Sequence, residues 1–350
     1  MKKKSSHIFI ILIISAIIIT IFYLSTNKIN LLKKQKKLEN YKLRHLKSYK
    51  LSEDIASITF HFTYNDKLYI NDYYSKSVFI LSNEFKIIKS INKLGHGPGE
   101  LLLPTFIYND LRKEQLVVID IEKYNEICFD YSGIYIEENP IGEFKMVQKM
   151  EKVDNGIVKL IFQTSFDDNK MLSRSIVDLM KKNQVITLAE YSQDPQDFLL
   201  HRCCSSNNKI FISPPVIDEY SVTVFNNEGD SLFNISKEYK KIKKSKMEIE
   251  YEKQRMRNMG NDDTNYRAQF FKPAIRQLLI YKNNLWVLSQ TKKTAIFDIY
   301  RQSGQQLGRI SLGKKVIGNF FVLGNYLYEL ISKKDGSYTI KKFVLNMENI

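Results

Sequence analysis

The chain alternates short apolar runs with polar turns. One unit reads Asn65-Asp66-Lys67-Leu68-Tyr69-Ile70-Asn71-Asp72, then Val78-Phe79-Ile80-Leu81-Ser82, then Phe85-Lys86-Ile87-Ile88, preceded by Ile58-Thr59-Phe60-His61-Phe62. Each run is short, rich in β-branched and aromatic residues and bounded by Asn, Asp or Ser, which predicts strands joined by tight hairpins. The order returns at Leu116, Ile127 to Tyr131 and Ile134 to Ile136, with the leading strand 48 residues after Leu68. That period suits a four-stranded propeller blade.

Further units follow. A less regular one starts near Gly156 and continues through Ser173 to Leu179 and Val185 to Leu188. Clearer ones start at Asn208-Lys209-Ile210-Phe211-Ile212, at Asn283-Asn284-Leu285-Trp286-Val287-Leu288 and at Asn325-Tyr326-Leu327-Tyr328-Glu329-Leu330. Six units account for residues from about 55 to 345. A sandwich would space its strands similarly, but it has no need for the recurring order of polar turn, aromatic-centred strand, second strand ending in Asp/Asn-x-x-Gly, and third strand. The expectation is an all-β six-bladed β-propeller over 51–350, with residues from Tyr41 to Leu51 supplying the outer strand that closes the last blade and covers its edge.

A joint precedes the second unit: Gly95-His96-Gly97-Pro98-Gly99-Glu100-Leu101-Leu102-Leu103-Pro104. It has the glycines of a phosphate-cradling loop, but a dinucleotide site needs those glycines to open a helix, and Pro98, Pro104 and the following strand deny that context. Gly95, Gly97 and Gly99 supply turn conformations, and Pro98 and Pro104 fix them, so the loop reads as a blade connection. This joint and the strand unit behind it resemble the NHL repeat, in particular bacterial six-bladed, TolB-like propellers in which a G-x-G-P-G-E-[FL] loop precedes the next blade. The resemblance implies the propeller architecture and, since relatives with this loop are usually exported, a place outside the cytoplasm.

Lys237 to Arg257 interrupts the period. It lacks Gly and Pro and is dense in Lys, Glu, Gln and Met, which predicts a helical insertion over 237–259 between blades 4 and 5. The stripe Tyr239, Ile242, Met247, Ile249, Tyr251, Met256 is weak.

The chain has a net charge of +15, 43% hydrophobic and 26% charged residues, the balance of a folded protein. Residues 1–50 hold twelve Lys or Arg and one Glu, a net of +11, which leaves +4 for the rest. The basicity therefore flanks the apolar run Ile8 to Leu24, where lysines suit anionic lipid headgroups, and no nucleic-acid partner is expected. Residues 1–27 read as a membrane anchor, with a signal-anchor helix at 8–26 contacting lipid, and 28–50 as a basic stalk. The seventeen residues of this run span roughly 25 Å of helix. A cleaved signal peptide would share this layout, but Phe22 to Asn27 offers no small-residue cleavage pattern. The charge count on the two flanks favours a cytoplasmic domain, whereas the family resemblance favours a single-pass protein of the bacterial inner membrane with its propeller outside.

Candidate chemistry is sparse. Cys128, Cys203 and Cys204 show no zinc spacing and read as small buried apolar residues. No nucleophile elbow or H-E-x-x-H is present. Asp72 and Asp120 end equivalent strands in the first two units, and the structural reading of each is a carboxylate that satisfies turn amides. With His96 and Glu100 they are the candidate ligand-binding residues. These features favour a membrane-tethered binding or scaffold protein, with no catalytic residue and no cofactor, that recognises a protein or glycan at a propeller face. The alternative is a metal-dependent hydrolase or lyase, similar to propeller lactonases, with Ca or Zn held in the central channel.

Overall fold

The structure is a computed structural model and describes residues 42–141, 145–167, 170–194, 200–206, 208–250, 253, 270–291, 294–313, 318–333 and 335–346. Strand β1 is Lys42–Lys50. Blade 1 is β2 (Ile58–Tyr64), β3 (Lys67–Asp72), β4 (Ser77–Leu81) and β5 (Ile87–Ile91), and blade 2 is β6 (Pro104–Asp110), β7 (Gln115–Asp120), β8 (Asn125–Phe129) and β9 (Tyr135–Pro140). Blade 3 is β10 (Lys145–Val153), β11 (Gly156–Asp167), β12 (Lys170–Lys181) and β13 (Gln184–Gln193). Blade 4 is β14 (Arg202–Ser206), β15 (Lys209–Ser213), β16 (Tyr220–Asn226) and β17 (Ser231–Lys237). Blade 5 is β18 (Ile275–Tyr281), β19 (Asn284–Gln290), β20 (Ala295–Arg301) and β21 (Gln306–Ser311). Blade 6 is β22 (Asn319–Leu323), β23 (Tyr326–Ser332) and β24 (Tyr338–Asn346), and its fourth strand is β1, antiparallel to β24. The first strand in sequence thus completes the last sheet and joins the two ends of the ring.

Period-two alternation explains how the blades pack, because successive side chains of a strand leave opposite faces of its sheet. On β3, Leu68 and Ile70 meet Phe321, Tyr328 and Leu330 of blade 6, while Tyr69 between them meets Ile107, Leu116 and Val118 of blade 2. On β7, Leu116 and Val118 face blade 1, and Val117 and Ile119 face Met146, Met150 and Phe162 of blade 3. Equivalent clusters fill the spaces between blades 3 and 4, 4 and 5, and 5 and 6. Every blade is therefore apolar on both faces, as its unbroken apolar runs require. Cys203 packs toward blade 3 and Cys204 toward blade 5, so these neighbouring thiols lie on opposite faces of one strand, free and buried.

Two expectations about helices are corrected. Among the described residues no helix is long and apolar enough to cross a membrane. The segment 8–26 expected to do so lies outside the described residues, so a membrane-spanning helix is no part of the described fold. The expected helical insertion at 237–259 is also absent as such. Lys237 ends strand β17, and the chain after it is held extended against the segment leading into blade 5. Lys272 N donates to Ile242 O at 2.8 Å, Lys244 N donates to Phe270 O at 2.8 Å, and Lys243 forms an antiparallel bridge with Phe271. Helical backbone begins only at Lys246, after the capping box of Ser245 and Glu248. There, Ser245 N donates to Glu248 Oε2 at 2.8 Å and Glu248 N to Ser245 Oγ at 3.3 Å. Good helix formers did not suffice, because a helix without a well-packed apolar face gains little in water.

Candidate functional site

The four sequence candidates lie where each blade hands the chain to the next. Asp72 Oδ2 accepts hydrogen bonds from Ala56 N (2.6 Å) and Ser57 N (2.7 Å), and its Oδ1 accepts one from Ser75 N (2.9 Å). Asp120 repeats the arrangement one blade on. Its Oδ2 accepts from Leu102 N (2.6 Å) and Leu103 N (2.9 Å), and its Oδ1 from Glu122 N and Lys123 N, both at 3.1 Å. Each carboxylate ties the incoming joint to the turn after the second strand, and both are fully buried.

Glu100 closes its own loop. Its Oε2 accepts from Gly97 N at 2.8 Å and its Oε1 pairs with Lys93 at 2.6 Å. The Lys93 ammonium and the Gly97 amide hold this carboxyl below the usual carboxylate range. Gly95 has φ +147°, and a Cβ there would lie 2.1 Å from Glu100 Oε2, so the carboxylate occupies the space that the glycine leaves. Pro98 lies in the same turn, and Gly99, at φ +71°, runs against the Tyr135 ring. The buried Lys123 adds what the sequence reading missed: it donates to Gly97 O (3.3 Å) and Glu100 O (3.2 Å) and pairs with Glu138 at 2.7 Å. His96 is exposed at the tip.

The central channel is a different environment. The strands around it, β2, β6, β10, β14, β18 and β22, are the innermost of their blades, and each pairs with one neighbour only. An edge of unpaired N–H and C=O groups is unfavourable unless something covers it. Here side chains cross from strand to strand to cover it. Thr63 Oγ1 donates to Val322 O (3.1 Å), Asn71 Nδ2 to Pro104 O (3.1 Å), Lys149 Nζ to Cys203 O (3.1 Å) and Arg202 Nε to Arg276 O (3.0 Å). Gln277 bonds Phe320 in both directions, with Phe320 N donating to Gln277 Oε1 at 3.0 Å.

These strands enclose a cavity of about 380 Å³ to which all six blades contribute. None of His96, Glu100, Asp72 or Asp120 lines it. Its charged lining residues are Lys149 and Glu151, which form an ion pair. At the centre of the molecule the Lys149 side chain is still 41% exposed and that of Glu151 21%, an exposure that opens onto the channel. Burial, the largest single influence, acts to lower the Lys149 ammonium, but Glu151 and the neighbouring Cys203 and Cys204 together leave the group raised above its ordinary value. His61, also on the wall, is pushed down to about 4 by burial and is neutral near pH 7.

Gln148 completes the set. It is the extra residue of a bulge in β10, where the register shifts between Val147 and Lys149. Bulges re-aim side chains, and this one leaves both polar atoms of the Gln148 amide buried without a hydrogen-bond partner on the wall of the cavity. The sequence signal for this part of the site was the run Lys-Met-Val-Gln-Lys-Met-Glu-Lys-Val before Gly156, an innermost strand that the reading of the third unit passed over. For the metal alternative, no group of three or more His, Cys, Asp or Glu stands together among the described residues.

Six four-stranded sheets in a ring around this channel define a six-bladed β-propeller. No family model and no curated protein matches the chain. Among solved structures it is similar to a member of the DUF4221 family from Bacteroides vulgatus, at 12% identity over 89% of this chain and 99% of that one, with a TM-score of 0.51. It is also similar to a candidate exported protein from Bacteroides fragilis, at 10% identity over 88% and 96% of the two chains, with a TM-score of 0.49. At such identities the likeness is one of fold.

Proposed function

We propose that the chain is a binding protein without catalytic activity, whose propeller holds a small molecule, or the terminal group of a larger one, in the central channel. Kinship with NHL-repeat propellers, suggested by the joint from Gly95 to Glu100, and a location outside the cytoplasm, suggested by the apolar run behind Lys2-Lys3-Lys4, belong to the same proposal. The observation that carries it is the Gln148 amide. A buried polar group without a partner costs about 1–3 kcal/mol, and folds keep few of them. A ligand that meets this amide and the adjoining ion pair offsets that cost, and the cavity volume lies in the usual range for small-molecule sites.

The test is a thermal-shift screen of the full chain against neutral sugars, amino acids and dicarboxylates, with Ser205→Phe as a channel-filling variant. A ligand at about one hundred times its Kd is expected to raise Tm by a few degrees. The variant, checked for native circular dichroism, should lose the shift. If no probe shifts wild type, or if the filled channel responds equally, the reading fails.

A further inference from the structure

The geometry points to a neutral, polyhydroxylated ligand, a single sugar residue or the end of a glycan, held in the channel by Gln148, Lys149 and Glu151. This inference rests on the channel reading and names the chemistry of its ligand.

Charge comes first. The charged residues on the cavity wall are Lys149 and Glu151, one of each sign, and they already face one another. His61 adds no charge near neutral pH. A carboxylate or ammonium ligand would find its counter-ion engaged, and a charge taken out of water is tolerated only when it is paired. A neutral ligand meets no such obstacle.

Hydrogen-bonding capacity comes second. The Thr63 hydroxyl and the Gln277 amide are committed to Val322 O and to the Phe320 backbone, so they serve the ring. The groups left to a ligand alternate in character. Gln148 brings an unbonded carbonyl and an unbonded NH₂, both closed to water here and reached by a ligand when the side chain turns into the cavity. The adjoining pair brings a carboxylate acceptor and an ammonium donor. A hydroxyl both donates and accepts, so neighbouring hydroxyls on one ring match two adjacent donor–acceptor sets, which a simple amide or a hydrocarbon does not. The wall also carries the half-buried aromatic residues Phe60 and Phe62, apolar surface suited to the C–H face of a sugar. The size agrees, since the enclosed space of about 380 Å³ is at the small end for ligand sites.

The experiment is isothermal titration of the full chain with glucose, galactose and N-acetylglucosamine, and with glucuronate and glucosamine as charged counterparts of the same size. At least one neutral sugar should bind, with both charged counterparts weaker by about tenfold or more, and Gln148→Leu should weaken the neutral sugar by about tenfold. Lys149→Met with Glu151→Leu, which removes the pair while keeping the wall neutral, should do the same. If glucuronate or glucosamine binds as tightly as its neutral counterpart and Gln148→Leu weakens it, the channel reading stands and the inference about charge is overturned. If no neutral sugar binds, the inference is overturned, and the amino-acid and dicarboxylate arms of the thermal screen decide the channel reading separately. If binding is unaffected by all these substitutions, both are overturned.

Discussion

Asp298 and Gln148 are both shut away from bulk water, on blades 5 and 3. Asp298, on the face of blade 5 that meets blade 4, accepts from Tyr220 OH (2.9 Å), Arg309 Nε (2.8 Å) and Gln306 Nε2 (3.4 Å), and pairs with Lys237. Gln148 has no partner for either polar atom. A charged group was given a nearly full set of hydrogen bonds while a neutral amide was given none. The contrast separates two uses of a polar side chain: Asp298, Asp120 and Asp72 hold blades and joints together, whereas the Gln148 amide contributes nothing that the fold itself collects.

The largest expected effect is at Asp298. Asp298→Ala should cost about 3 kcal/mol or more, since removing one member of a buried charged network leaves the others uncompensated. Lys237 and Arg309 are 30% and 44% exposed and recover some hydration, which places the expectation at the low end of the range for buried pairs. Chemical denaturation measures it. A loss below about 1 kcal/mol would mean that the network is incidental to the joint between blades 4 and 5, and the contrast with Gln148 would collapse.

Asp120→Asn is expected to cost less, about 1–3 kcal/mol. The amide keeps one acceptor oxygen but turns an NH₂ toward two of the four backbone N–H groups that Asp120 now receives. The same denaturation series reads the loss, and ligand affinity in the channel should not change. A variant that binds less tightly while remaining as stable as wild type would move Asp120 from the structural class to the site.

How much of this was legible in the sequence follows from the range over which each feature is encoded. The blades are local: Leu68-Tyr69-Ile70 and Leu116-Val117-Val118-Ile119 each carry the alternation that feeds two neighbouring interfaces, so the propeller was readable from short segments. Asp72 and Asp120 were readable for the same reason, as equivalent positions in one repeat whose partners lie 18 or fewer residues away. The channel was not readable, because its wall joins residues as distant as Thr63 and Val322, 259 positions apart. Nor does the composition of Lys237 to Arg257 reveal that Lys272 and Phe271 would hold residues 242–244 extended.

The smallest effect is the most informative about Gln148. Gln148→Leu removes an amide that makes no hydrogen bond and substitutes a side chain of similar size, so stability should be unchanged or higher by about 1 kcal/mol. A structural residue on an innermost strand behaves in the opposite way, as Gln277→Leu should, since it strips Phe320 N and Phe320 O of their partner. Comparing the two variants by denaturation isolates the point. If Gln148→Leu destabilises as much as Gln277→Leu, the amide is bonded in solution and the channel loses its unbonded donor and acceptor. If it stabilises while ligand affinity falls, one residue trades stability for binding, which is the behaviour expected of a functional site.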